Sequence, residues 1–245
     1  MSRLTEALQH PKHADGALVA YLVAGYPSME AFPGVLARVA EVADAIEVGV
    51  PFTDPMADGV SIQEASRAAL DQGVSLPWIL GVVRDCEVPV ALMGYLNPFL
   101  AHGPTLADDL RAAGVSALIV PDLPLEERDV LGDVPVVQLV TPLTDEARMA
   151  ALCSATAGFV YTVTVTGTTG GQTDLHDVPA TLARVRAHAR HPVLAGFGIR
   201  QRSQVEALRD HADGVIVGSA LVEVLKRGED PAKFLEALMG PRAGA

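Results

Sequence analysis

The sequence predicts a single α/β domain, a (β/α)8 barrel of the TIM type, and three observations carry that prediction. Eight short apolar runs recur along the chain, segments of helical periodicity alternate with them, and no linker or shift in composition divides the 245 residues into two parts. The runs are Leu18–Val23, Ala45–Val48, Val90–Met93, Ala117–Val120, Val136–Leu139, Phe159–Val163, Val193–Phe197 and Gly214–Val217. Each is nearly continuous in apolar residues rather than alternating, as expected of parallel strands covered on both faces. An open doubly wound sheet is the alternative, but the first run is not followed by the G-x-G-x-x-G turn that opens a dinucleotide site.

In chain order, the first strand follows a polar amino-terminal stretch and leads into a helical pattern over Met29–Ala40. The second strand is unusual in carrying Glu47 among apolar neighbours. After it, a Pro/Asp/Gly loop from Pro51 and an extra amphipathic helix, Ser61–Leu70, precede the regular helix near Trp78. Helices over Leu106–Ala113 and Asp145–Ala155 follow the third and fifth strands, while Glu126–Val134 is short for a full helix after the fourth. The sixth strand leads into TVTGTTGGQT (164–173), too small and polar to pack and rich in glycine, so a mobile loop over the catalytic face is expected there. Helices over Val178–Ala189 and Arg202–Leu208 complete the alternation around strands seven and eight. The expected domain is therefore residues 1–245.

With 49% hydrophobic and 20% charged residues the chain has ample material for a core. A formal net charge of −12 repels nucleic acid and anionic membranes, so any bound phosphate must be held locally by backbone N–H groups, and a small ligand is expected. Residues Met1 to Asp15 carry no apolar signal segment and no stretch approaches a membrane span, which points to a cytoplasmic protein. Cys86 and Cys153 have no C-x-x-C spacing and read as reduced packing residues.

Strand seven ends in Ala195-Gly196-Phe197-Gly198 and strand eight in Val217-Gly218-Ser219-Ala220. Glycines there allow close backbone approach, and the following helix start offers free N–H groups to an anion, the recurring phosphate position of such barrels. Tight turns are the other reading of the same glycines. Glu47 is costly inside an apolar strand unless it is paired or serves chemistry. It reads either as a buried partner of a backbone N–H or arginine, or as an acid/base whose pKa burial raises toward neutrality. The only lysines, Lys12, Lys226 and Lys233, lie away from strand ends, which leaves no Schiff-base amine. The seven histidines show no ligand spacing, so no metal site is expected. Neither a G-x-S-x-G elbow nor a Walker loop is present. Acid–base chemistry on a phosphorylated compound remains.

The stretches YLVAGYP (21–27), IEVGVPFTDPMADGVSIQ (46–63), LMGYLNP (92–98), LIVPDLPLEE (118–127), GFVYTVTVTGTTG (158–170), AGFGI (195–199) and GVIVGSALV (214–222) together resemble the α chain of tryptophan synthase. The second stretch is close to a family signature, and Val60-Ser61 within it stands where Pro-Thr is commoner. The resemblance implies a lyase of aromatic amino acid biosynthesis, on the route to L-tryptophan. It would cleave indole-3-glycerol phosphate to indole and glyceraldehyde 3-phosphate with no cofactor in this chain. It assigns acid–base work to Glu47, the indole N–H to Asp58 and support of Glu47 to Tyr161. Thr169, Gly170, Gly198, Gly218 and Ser219 would surround the phosphate, and Tyr21, Tyr95, Ile119 and Phe197 would form the indole pocket. It also implies a partner, a pyridoxal-phosphate β chain in an αββα tetramer, meeting Pro51, Asp54, Pro55 and Asn97. A free-standing indole-releasing lyase, another phosphate-gripping barrel such as a sugar-phosphate isomerase, and a non-catalytic regulatory subunit are the competing readings. Asp58 argues against the isomerase, since a linear sugar has no indole N–H to hold.

Overall fold

A computed structural model describes residues 2–164, 178–196 and 198–244. Helix α1 (Arg3–Gln9) precedes β1 (Ala17–Val23), and α2 (Phe32–Ala40) leads to β2 (Ala45–Gly49). Helices α3 (Val60–Leu70) and α4 (Leu76–Val83) separate β2 from β3 (Val90–Met93), and α5 (Leu96–His102) and α6 (Leu106–Ala112) separate β3 from β4 (Val115–Ile119). A 3-10 segment, Leu125–Leu131, stands in place of a helix before β5 (Val136–Val140). Then follow α7 (Glu146–Ala155), β6 (Val160–Val163), α8 (Val178–His188), β7 (Val193–Gly196), α9 (Arg202–Leu208), β8 (Gly214–Val217), α10 (Ser219–Lys226) and α11 (Pro231–Met239).

The strands close into a barrel in sequence order, every neighbour parallel and β8 returning to β1. Alternate residues point inward: Val19, Ala45, Ala91, Ala117, Ile119, Val137, Phe159, Leu194 and Ile216 fill the interior. The other set, with Leu18, Ile46, Leu92, Leu118 and Val160 among it, packs beneath the helices. Each buried Val, Leu, Ile or Phe among them contributes about 1.5–3 kcal/mol, and this double burial is why the strands read as continuous apolar runs.

The expected strands agree with the observed ones to within two residues, and the extra helix before α4 is present. Two differences have physical reasons. The Met29–Ala40 pattern becomes a helix only from Phe32, because Ser28 accepts the Ala31 N–H at 3.1 Å and holds a turn ahead of it. Helices α1 and α5 carry no long periodic signal, and Pro98 interrupts the α5 pattern.

Helix α1 closes the base of the barrel. Its cap, Ser2, accepts the Thr5 N–H at 3.2 Å, and Thr5 Oγ1 donates to the Gly158 carbonyl at 3.1 Å. Leu4 and Leu8 then join the inner core. Gly158 is required twice over: its φ is +79°, and a Cβ there would lie 2.6 Å from Leu4 Cδ2. Beside the plug, buried Asp44 accepts the backbone N–H of Lys12 at 2.7 Å and of Leu18 at 2.8 Å. Lys12 Nζ donates to the Ala40 and Ala43 carbonyls at the end of α2, a favourable place for a cation.

Candidate active site

Glu47 sits on the inner face of β2, in register with Tyr21 of β1 and Ala91 of β3. It is fully buried, and among the described residues neither carboxyl oxygen has a hydrogen-bond partner. The arginine or N–H partner allowed by a structural reading is therefore absent among those residues. Burial pushes the carboxyl up from 4.5 to about 8, with the nearby Asp58 charge adding to the shift. Tyr21 and Tyr161 flank the same space, and burial holds both phenols well above their ordinary range.

Asp58 is half-buried on the loop between β2 and α3, and burial raises it from 3.8 to about 6. Its backbone is tied down from three sides. Asp58 N donates to the Pro55 carbonyl at 3.3 Å, Gln63 Nε2 of α3 donates to the Asp58 carbonyl at 2.8 Å, and the Ala57 N–H donates to Tyr95 Oη at 2.8 Å. The Tyr95 ring lies 5.3 Å from that of Phe52.

Glu47, Asp58, Tyr21, Tyr161, Gly198 and Ser219 line one cavity of about 40 Å³, together with Gly218. That is room for about one water molecule, so a phosphorylated aromatic compound enters only if the walls give way. Gly198 has φ +81°, Gly218 caps α10, and Ser219 is that helix's first residue, which places N–H groups without a helical partner at the cavity rim among the described residues. Gln204 fixes the Gly198 turn: its Oε1 accepts from Arg200 N at 2.7 Å and Gln201 N at 3.0 Å, and its Nε2 donates to the Gly198 carbonyl at 3.0 Å.

The expected site residues do not all fall on this cavity. Gly196, grouped by sequence with the phosphate glycines, makes room for an aromatic ring instead, since a Cβ on it would lie 2.5 Å from Tyr161 Cε1. Gly49 does the same for Tyr21, with a Cβ 2.3 Å from its Oη. Tyr95 and Ile119 are absent from the cavity wall: Tyr95 braces the Asp58 loop, and Ile119 is wholly buried inside the barrel. Ile62, Met93 and Ile216 complete the wall, and as ordinary apolar residues they carried no distinguishing signal. Thr169, Gly170, Phe197 and the rest of the expected loop after Thr164 lie outside the described residues. Of the expected partner surface, Asp54 and Asn97 are exposed and Pro55 is half-buried, whereas Pro51 is buried. Pro51 borders a wider groove of about 780 Å³ between α4, α5 and α6 that holds neither Glu47 nor Asp58. No helix among the described residues is long and apolar enough to cross a membrane.

A (β/α)8 barrel with two carboxyls raised by burial on one cavity, one on a strand and one on a tethered loop, has the make-up of an acid–base enzyme. A family model described as tryptophan synthase alpha chain matches residues 8–239. The tryptophan synthase alpha chain of Geobacter sulfurreducens is 41% identical over 259 residues, covering 97% of this chain and 98% of that one. Among solved structures, tryptophan synthase from M. tuberculosis in an aminoacrylate-bound form superposes with a TM-score of 0.85 at 35% identity, over 98% of both chains. Subunit alpha from Legionella pneumophila superposes with a TM-score of 0.83 at 32% identity, over 98% of this chain and 96% of that one. The chain belongs to the tryptophan synthase alpha-chain family. It is a lyase of tryptophan biosynthesis.

Proposed function

We propose that the cavity cleaves indole-3-glycerol phosphate with Glu47 and Asp58 in separate roles. The observation that carries this reading is Glu47: buried, unpartnered among the described residues, raised to about 8, and facing Asp58 across one small cavity. At neutral pH Glu47 is protonated and Asp58, raised only to about 6, is ionised. Glu47 gives its proton to the indole carbon that bears the side chain. The ring nitrogen becomes cationic, and the Asp58 carboxylate facing the N–H stabilises that charge. Glu47, now a carboxylate, takes the proton of the adjacent side-chain hydroxyl. The carbon–carbon bond breaks, its electron pair returns to the ring, and indole and glyceraldehyde 3-phosphate result. Tyr161 on β6 supports Glu47 from across the barrel, and Tyr21 bounds the ring.

The phosphate is held at the rim by N–H groups around Gly198, Gly218 and Ser219, completed by Thr169 and Gly170. No cation is needed, consistent with a chain of net charge −12. Phe197, Tyr95 and Ile119 stay in the proposal as ring-side residues, with Tyr95 acting through the Asp58 loop. A β chain carrying pyridoxal phosphate would meet the loop face in an αββα assembly, where Asp54, Pro55 and Asn97 lie beside the exposed apolar side chains of Met56, Val60 and Leu100. Pro51 would contribute from beneath that surface.

The test is indole release from indole-3-glycerol phosphate by the purified chain, with and without a β chain, beside Glu47→Gln and Asp58→Asn. Loss of 100-fold or more in both variants supports the assignment. An inactive wild type under both conditions sinks it, and full activity without any β-chain stimulation favours a free-standing lyase.

A further inference from the structure

Three segments that frame the cavity come from different connections: the Asp58 loop leading into α3, the Gly198 turn after β7, and the start of α10 after β8. They converge on one side chain outside the cavity. Glu223, one helical turn beyond Ser219 on α10, takes both Arg200 guanidinium nitrogens, at 2.7 and 3.0 Å. Its Oε1 also accepts from Ser61 Oγ of α3 at 3.2 Å. Arg200 carries the β7 turn with it, because its backbone N–H is held by Gln204, whose amide also holds the Gly198 carbonyl. Ser61 is three residues from Asp58 on the helix whose Gln63 grips the Asp58 carbonyl. One turn further along α10, Lys226 pairs with Glu64 of α3 at 2.7 Å, so the two helices are laced along the same seam. The Arg200 guanidinium holds Glu223 below the usual carboxylate range, so the hub stays ionised at working pH. Neither Arg200 nor Glu223 borders the cavity.

We propose that Glu223 is a positioning residue that sets the separation between the ring-holding carboxylate Asp58 and the phosphate-holding turn and helix. This rests on the function proposed above, in which one substrate spans both ends. A ligand that touches only one end places no demand on the separation. A spanning ligand does, because its two halves bind cooperatively only when both ends are held at the right distance. Removing the hub therefore affects spanning ligands selectively, which a general loosening of the fold would not do.

The experiment compares wild type with Glu223→Gln and with the exchanged pair Arg200→Glu/Glu223→Arg. Binding is measured by calorimetry for glycerol 3-phosphate, for indole, and for indole-3-propanol phosphate, a spanning analogue without the reacting hydroxyls. Thermal midpoints and the KM and kcat for indole-3-glycerol phosphate accompany them. In Glu223→Gln the spanning analogue should weaken roughly tenfold and KM rise by a similar factor, the two fragments should hold within about twofold, and the exchanged pair should recover much of the loss. Equal weakening of all three ligands, a matching drop in thermal midpoint, or no change in the spanning analogue overturns the proposal. If wild type itself fails to bind the spanning analogue, the lyase reading fails with it. If wild type binds and cleaves but Glu223→Gln is indistinguishable from it, the positioning role alone is lost.

Discussion

Replacing Glu47 by glutamine should make the protein less active and more stable, with the gain growing as pH rises. The folded carboxyl is raised from 4.5 to about 8, so between those values the native state binds a proton that the unfolded chain has released. Its stability therefore falls as pH rises through that window and levels off above the folded value. At about 1.36 kcal/mol per pKa unit, the cost to the wild type is roughly 1 kcal/mol at pH 5, roughly 3 at pH 7 and roughly 5 at pH 9. Glutamine does not titrate, and its neutral amide occupies the same cavity as a neutral acid, so unsatisfied polarity largely cancels between the two. The difference in unfolding free energy between variant and wild type should trace those three values. Urea titrations followed by circular dichroism at pH 5, 7 and 9, with indole release measured on the same samples, provide the assay. A gap that is constant across pH, or a variant less stable than wild type at pH 9, would refute the claim that Glu47 is a desolvated acid held neutral by burial.

Other perturbations test neighbouring parts of the argument. The pH profile of kcat/KM should fall on the acid side near pH 6, where Asp58 takes up a proton, and on the alkaline side near pH 8, where Glu47 loses one; Asp58→Asn should remove the acid limb from whatever activity survives. Gly49→Ala drives a Cβ to 2.3 Å from Tyr21 Oη, and a thermal melt should show a loss of about 1–3 kcal/mol together with reduced turnover. Thr162 is wholly buried, and among the described residues its hydroxyl has no hydrogen-bond partner. Thr162→Val should raise stability by about 1 kcal/mol in denaturant titration and leave turnover unchanged.

The barrel was legible because burial on both faces writes each strand as an apolar run, and Glu47 was legible because it breaks one. Periodicity alone misses α1, a helix of seven residues whose role is to cover the barrel's base, and it cannot show that Asp44 and Lys12 stitch that base together. Gly49 and Gly196 look like any other strand-end glycines; only the inward turn of Tyr21 and Tyr161 on neighbouring strands explains them. Tyr95 could be recognised as an aromatic at a strand end, but its bond to Ala57 N depends on how the Asp58 loop folds back. The Arg200–Glu223–Ser61 group joins residues 162 apart at its extremes, each of which reads alone as an ordinary surface polar side chain.

Because Leu4, Leu8 and Phe159 stopper the barrel from below, the cavity that holds Glu47 lies, among the described residues, toward the loop face. In the proposed reaction, solvent, substrate and the proton on Glu47 would all arrive from that face. A bound molecule that covers that face would also isolate the carboxyl from bulk hydronium and hydroxide. The protonation state present at the moment of covering is then the one available to the bound molecule, so the medium's acidity acts on the fraction of productive encounters more than on the steps that follow.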